Sequence, residues 1–424
     1  MGMGFTDTAM AGHYSATDLA GVALGGNILW PIFMLTTGIT MALTPITAQL
    51  RGAGRINEIG TLLRQGIWIA LGASFVAVVV ITQAGTTFQW MAIDRDAIEI
   101  ADQYLDAAAW GIPSAFVYVT LRYTSEGLGH VVSPMVIVAF ALVINALLNY
   151  AFIYGRFGAP ELGGVGCGYA TAIVMWLELL FMAVQLFRPH FRRTGVTTRF
   201  DRPNIAIIAN IFRIGLPIGL SSFIAMAIFS VIGFMVGTLG VVPLAAHSIA
   251  GNISWATFVI PMAIGAAASI RVGFKVGAED HEDARGVCAT AMKLAVGYAL
   301  LVSLLLVVFR HDVVTLYSKD ADVLAMAAAL ILIIAVYQIA DATQGAVIGA
   351  LRGYKDTRAP MIFSLIGYWV IALPLAAYLG FGKHGVYGFW VGMAIGVALV
   401  ALASGLRLIS TSRNLDRIRS FSGL

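Results

Sequence analysis

Charge is the scarcest commodity in this chain. Only 11% of its 424 residues are Asp, Glu, Lys or Arg, against 59% hydrophobic, and the mean hydropathy is +0.87. A soluble globular protein carries about 25% charged residues, so a water-covered surface of this extent is excluded and lipid must be the main solvent. Cysteine is nearly absent. Cys167 and Cys288 stand alone in apolar stretches without ligand-like spacing, which excludes a disulfide framework and suggests no metal site. A Gly-rich phosphate loop with its Lys is missing, which argues against an ATP-driven pump, and no HExxH, paired-Cys or nucleophile-elbow pattern occurs. The net charge of +4 is no nucleic-acid signal, because the positive residues fall between apolar segments.

What the chain has instead is long apolar windows, and it has them twice over. Windows long enough to span a bilayer, about 20 residues each, fall near 19–48, 65–90, 107–121, 132–153, 165–187, 211–238, 244–270, 289–309, 323–350, 360–380 and 385–408. Leu19-Ala20-Gly21-Val22-Ala23-Leu24-Gly25-Gly26-Asn27-Ile28-Leu29-Trp30 aligns with Leu244-Ala245-Ala246-His247-Ser248-Ile249-Ala250-Gly251-Asn252-Ile253-Ser254-Trp255, six of twelve pairs being identical. The correspondence continues with Gly52-Ala53 against Gly277-Ala278, Leu121-Arg122 against Leu351-Arg352 and Pro134-Met135 against Pro360-Met361. A duplicated half in a very apolar chain is the ground plan of a transporter that rocks two similar halves about a central site. Eleven spans, preceded by an apolar fragment Met1 to Gly12, lead to an expectation of twelve helices, six per half, with the first cut short in this sequence.

Basic residues orient the chain. Assigning alternate loops places Arg51, Arg55, Arg64, Arg122, the Arg188–Arg213 cluster, Arg271, Lys275, Arg352, Lys355 and the C-terminal arginines on one side. Arg95, Arg156, Arg310, Lys319 and Lys383 fall on the other. The rich side is cytoplasmic by the positive-inside rule, which puts the C-terminus there too. The expected fold is an all-α polytopic membrane protein of two parallel-repeat six-helix bundles: residues 1–190, a cytoplasmic linker 191–210, and residues 211–424.

Most acids sit in loops, as Asp94, Asp96, Glu99, Asp102 and Asp106 on one side or Glu279, Asp280, Glu282 and Asp283 on the other, and read as solvated faces. Asp7, Glu178 and Asp341 lie inside apolar sequence. An Asp at a helix centre costs about 2.5–3.5 kcal/mol on insertion scales, which is tolerated when it faces the bundle interior with partners. An ion or substrate pathway is therefore the default reading, and a packing hydrogen bond the alternative. Tyr337, Asp341 and Gln344 share one helix face by their spacing. Asn145 and Asn149 form an i, i+4 pair, with Thr171 in the next span, and serve equally well as interhelical glue on position alone. Glu178 has no comparable partner and is assigned no role. His247 reads as a hydrogen-bonded core residue. Gly163-Gly164-Val165-Gly166-Cys167-Gly168 reads as a stretch permitting close helix approach.

Four segments carry a family resemblance: Gly4-Phe5-Thr6-Asp7-Thr8-Ala9-Met10-Ala11-Gly12, Gln49-Leu50-Arg51-Gly52-Ala53-Gly54-Arg55, Phe157-Gly158-Ala159-Pro160-Glu161-Leu162-Gly163-Gly164-Val165-Gly166 and Leu351-Arg352-Gly353-Tyr354-Lys355-Asp356. Over essentially its whole length the chain resembles the multidrug and toxic compound extrusion (MATE) transporters of the bacterial NorM-like branch. The resemblance implies two six-helix bundles forming a V with a central cleft. It also implies antiport at the bacterial inner membrane, in which inward flow of H⁺ or Na⁺ drives out amphipathic, often cationic, drugs and dyes, and it implies no enzyme activity and a monomer. By position, Asp7, Asn145, Asn149 and Thr171 match the family's N-terminal site. Tyr337 and Asp341 match its C-terminal cation-site residues and would be the ones to hold Na⁺. The chain departs from the family at Ala225, where relatives commonly carry Glu. One carboxylate fewer weakens the case for Na⁺ and favours H⁺ as coupling ion.

Two other classes remain open to the residues. A lipid-linked precursor flippase of the wider superfamily would share the repeat but need a cationic cavity, whereas the intramembrane charges here are acidic. An intramembrane enzyme would need a catalytic pair on facing helices, and Asp7 and Asp341 lie in different halves.

Overall fold

The structure is a computed structural model that describes residues 2–83 and 95–422; Asp94 and the end of the 65–90 window lie outside them. All regular structure among the described residues is helical. The chain divides into two compact units, Met1–Thr47 with Arg55–Gly219, and Ala48–Gly54 with Leu220–Leu424.

The first unit is built from α1 (Gly2–Tyr14), α2 (Ala16–Thr40), the start of α3 (Leu43–Gly52), α4 (Ile56–Thr82), α5 (Arg95–Ala109), α6 (Ile112–Gly127), α7 (Val132–Tyr154) and α8 (Val165–Val184), followed by the first turns of α9 (Ile205–Gly237). The second holds the rest of α9, α10 (Val241–Gly277), α11 (His281–Val308), α12 (Ala321–Gly353), α13 (Arg358–Ser364), α14 (Leu373–Leu379), α15 (Gly385–Arg413) and α16 (Leu415–Ser422). Among the described residues nine helical runs are long and apolar enough to cross a membrane, one of them the 56-residue stretch Arg358–Arg413. That run is two spans, not one. Its backbone breaks at Gly382 and Gly385, the latter at φ +55. Gly388, Gly392 and Gly396 then pass against Leu379, Ala376 and Ala372 in antiparallel order, where any side chain would hold the two arms apart. The expected window at 107–121 falls on the pair α5–α6, which is interrupted at Trp110-Gly111.

Two features explain how so apolar a chain folds without a polar surface. Large side chains such as Phe140, Leu147, Phe234 and Leu304 point outward from the helices, as lipid-facing residues must, and backbone polar groups are satisfied within helices. Inside each unit, glycines allow helices to touch. Gly166 packs on the backbone of Phe152 and Gly168 on the carbonyl of Tyr104, so the Gly-rich stretch at the start of α8 does serve close approach.

Polar fastenings sit at the helix ends. Ser15 caps α2 by accepting from Asp18 N–H at 3.0 Å and also donates to Asp18 Oδ2. Asp18 Oδ1 in turn accepts from Gly164 N–H at 2.5 Å, tying the entry of α2 to that of α8. The segment after α8 is strapped onto α4. Arg64 pairs with Asp201 at 2.7 Å and donates to the carbonyls of Gly195 and Val196, while Trp68 Nε1 donates to the carbonyl of Asp201. In the second unit Asp356, in the turn after α12, is buried against α15, accepting from Arg407 Nε at 2.6 Å and Thr411 Oγ1 at 3.0 Å.

Candidate functional site

Four of the sequence-selected residues meet at one point of the first unit. Asp7 lies midway along α1 and is 4% exposed. Asn149 Nδ2 on α7 donates to its Oδ1 at 2.6 Å, and Thr171 Oγ1 on α8 donates to its Oδ2 at 3.1 Å. Asn145, one turn before Asn149, accepts at Oδ1 from the same Asn149 amide at 3.3 Å. Asn145, Asn149 and Thr171 are all buried. The i, i+4 spacing on α7 is what allows one amide to reach both the carboxyl and its neighbour. Tyr154 fixes α1 in register by donating to the carbonyl of Met10 at 3.2 Å, and Tyr14 does so by donating to Glu161 at 3.0 Å.

The chemistry of this cluster is defined by its imbalance. The donors to Asp7 are neutral, and Asp7 forms no salt bridge among the described residues. A buried carboxylate lacking a counter-charge is costly, and it is relieved by a proton or a cation. Nδ2 of Asn145 and Oδ1 of Asn149 are buried and make no hydrogen bond of ordinary geometry, although Asn145 lies within electrostatic reach of the Asp7 carboxyl. Sequence spacing did not reveal two further neighbours. The Tyr104 ring of α5 is buried within electrostatic reach of Asp7, and Cys167 Sγ lies 3.7 Å from the Asp7 carbonyl. Helix periodicity marks Tyr104 only as a core position of α5, and nothing in the sequence separates it from its apolar neighbours.

In the second unit Tyr337, Asp341 and Gln344 do share a face of α12, but they do not form one hydrogen-bonded group. Tyr337 is buried, with its hydroxyl near Ser254 of α10 and its ring edge-on to Trp390 of α15 at 5.9 Å. Gln344 turns away and closes a two-way pair with Tyr368, at 2.6 and 2.9 Å. Tyr368 is carried on a π-helical stretch, Leu365–Ala372, between α13 and α14; such wide turns often mark functional positions. Asp341 is half-buried, within electrostatic reach of Tyr337 and Tyr368. Ala225 of α9 packs against the apolar core there and contributes no oxygen.

His247 is a core residue, as its sequence reading has it, packed against the Trp390 ring at 5.7 Å; its Nδ1 has no hydrogen-bond partner in the structure, and neither does Trp390 Nε1. Glu178, unassigned by sequence, is buried on α8 within electrostatic reach of Tyr118 and Arg122 of α6. Both cysteines are buried free thiols.

Comparison with known proteins now separates the possible classes. The MatE family pattern matches residues 1–151 and 217–379. A protein named multidrug resistance protein NorM, from Aliivibrio fischeri, is 38% identical over 423 residues, covering 98% of this chain and 92% of its own. One named multidrug resistance protein MdtK, from Edwardsiella ictaluri, is 40% identical over 413 residues, covering 96% and 90%. Among solved structures, the eukaryotic MATE transporter AtDTX14 superposes with a TM-score of 0.88 at 20% identity, covering 99% of this chain and 94% of that one. An outward-facing multidrug resistance MATE transporter of the MOP superfamily gives 0.87, also at 20% identity, covering 100% and 95%. This chain belongs to the MatE family. It is a multi-pass membrane transporter and not an enzyme, which removes the intramembrane-enzyme alternative.

Proposed function

We propose that this chain is a multidrug efflux antiporter of the bacterial inner membrane, exporting amphipathic cations in exchange for protons, with its C-terminus cytoplasmic and a single copy as the working unit. The observation that carries the coupling is Asp7, a buried carboxyl held by two neutral donors and by no cationic side chain among the described residues. Its charge is satisfied from outside the protein, by a proton in one stage of the cycle and by the substrate cation in another. Two ligands that draw on one charge are linked, so each displaces the other. The names of the NorM and MdtK relatives support the substrate class.

Sodium coupling at Tyr337 and Asp341 is the second reading, and the donor set is thin for it. The Tyr368 hydroxyl is engaged with Gln344, the Tyr337 hydroxyl lies near Ser254, and position 225 is Ala. That leaves one free carboxylate. A lipid-precursor flippase is disfavoured because the buried intramembrane charges are acidic while its substrate is an anion.

The test uses the purified chain in proteoliposomes with ethidium as probe. Efflux is expected to follow an imposed pH gradient in Na⁺-free buffer and to ignore a Na⁺ gradient alone. Efflux that runs on Na⁺ and is blind to pH would transfer the coupling to the second unit.

A further inference from the structure

One buried acid has no place in the exchange described so far. Glu178 stands seven residues after Thr171 on α8, both side chains being buried. Seven residues are close to two full turns, so the two lie on one face of the helix about 10 Å apart along its axis. Thr171 is the residue that donates to Asp7. The face of α8 that serves Asp7 at one end therefore carries a second carboxyl, displaced toward the end where Arg188, Arg192 and Arg193 follow. Between them lie Val174 and Met175, both buried, which keep the two acids out of direct contact.

The surroundings of Glu178 are those of an ionisable site rather than a packing contact. Of the helices packed on α8, α6 presents the charged and titratable groups that face Glu178 among the described residues, Tyr118 and Arg122. Tyr118 is 3% exposed and its hydroxyl has no hydrogen-bond partner in the structure. Arg122 is held one turn further on, its Nε donating to Glu126 at 2.8 Å. At the opposite end of the same α8 face, α1 supplies Asp7 and α5 supplies Tyr104. A buried phenol with a free hydroxyl beside a buried carboxyl is a ready donor and acceptor pair.

We propose that Glu178 is a proton-relay residue, taking up the proton that Asp7 gives off and passing it to the Arg-rich side. The proposal rests on the proton-exchange reading of Asp7. In the transfer the Asp7 carboxylic acid loses one proton and becomes a carboxylate, stabilised by Asn149 and Thr171. The Glu178 carboxylate gains one and becomes the acid, so the charge of the unit is unchanged until Glu178 discharges. Because 10 Å exceeds any direct hydrogen bond and the buried Val174 and Met175 close the gap here, the transfer belongs to a stage of the cycle in which that seam opens to water.

The experiment is stopped-flow proton release from the purified full-length chain on mixing with ethidium, read alongside ethidium affinity and pH-driven efflux in proteoliposomes. The parent chain is expected to release protons on mixing and D7N to release none. E178Q should bind ethidium with parental affinity but release protons and drive efflux about a hundredfold more slowly, the low end of what a positioned proton-transfer group supplies. E178D should restore most of the rate with a shifted pH profile. Parental release kinetics in E178Q overturn the relay alone, since D7N still reports the exchange at Asp7. Equal slowing in E178Q and E178D, with the pH profile unmoved, overturns it in favour of a structural role. A parent chain that releases no proton removes the exchange reading and the relay with it. If E178Q fails to fold, the pH profile of E178D decides: an unmoved profile overturns the relay.

Discussion

The Asp7→Asn substitution separates charge from shape at the centre of the first unit. An Asn side chain fills the same volume. Its Oδ1 can keep the bond from Asn149 Nδ2, now 2.6 Å. Its Nδ2 can donate to Thr171 Oγ1, now 3.1 Å away, once the hydroxyl hydrogen rotates to another direction. Two hydrogen bonds are thus replaced by two, each worth about 0.5–1.5 kcal/mol net, and no buried charge is left uncompensated. The expected stability change is below about 1 kcal/mol. Thr171→Val is the contrast: it keeps the carboxyl but strips Asp7 Oδ2 of its donor, a loss of about 1–3 kcal/mol. Thermal unfolding in detergent measures both, and ethidium-induced proton release measures the charge. D7N should hold its melting temperature and lose proton release and efflux. T171V should melt earlier and still release protons. A D7N chain that unfolds early, or that still couples efflux to the pH gradient, would refute the claim that Asp7 is present for its proton and not for packing.

Other substitutions test other parts of the structure. D341N should abolish coupled ethidium efflux in pump-deficient cells at unchanged membrane expression, while Y337F, which deletes a hydroxyl near Ser254 and no charge, should retain part of it; unchanged efflux in D341N would make Asp341 structural. D356A removes a carboxylate that is 3% exposed and pairs with Arg407 and Thr411, so it should destabilise the second unit by about 3 kcal/mol, read as an earlier melting transition with the first-unit proton release intact in the folded fraction. Hydrogen bonding to Arg64 holds the Asp201 carboxyl below its ordinary value of 3.8. The strap over α4 should therefore be at full strength at neutral pH and loosen only as pH falls below that value, with hydrogen–deuterium exchange of residues 195–204 across that range, corrected for intrinsic exchange rates, as the assay. D201N should show the loosened pattern at every pH.

The sequence disclosed the fold through composition and repetition, two signals that survive without any knowledge of contacts. Apolar windows follow from the length of helix a bilayer demands, which is why ten of them coincide with long helices or hairpin arms. The window at 107–121 was short because α5 is amphipathic: Asp96, Glu99, Asp102 and Asp106 lower its hydropathy although Ala101, Tyr104, Leu105 and Ala108 are buried. The Asp7 cluster was legible in its acid and its i, i+4 Asn pair. The second site was legible only along α12. That Gln344 would close on Tyr368 depends on the π-helical stretch rotating Tyr368 into place, and periodicity cannot foresee a change of helical pitch. Tyr104, Tyr118 and Ser254 escaped for a related reason: each sits at a core position of its own helix and acquires a polar neighbour only from another one.

The two halves repeat in sequence but not in chemistry, and the difference bears on mechanism. In the first unit the acid is enclosed with neutral donors. In the second, Asp341 is half-buried, the neighbouring Tyr368 hydroxyl is paired with Gln344, and Ala225 contributes no oxygen. Duplication supplies two scaffolds, and a scaffold does not oblige both copies to do the same work. An enclosed acid is suited to holding a proton, because its donors are neutral and no cationic side chain among the described residues pairs with it. The partly exposed acid of the second unit is suited to an amphipathic cation, whose charge the carboxylate would meet. A division of labour between the units therefore follows from local environment alone. It predicts that D341N weakens ethidium binding yet still releases protons at saturating ethidium, while D7N releases none, so that loss of proton release in D341N at saturation would contradict the division.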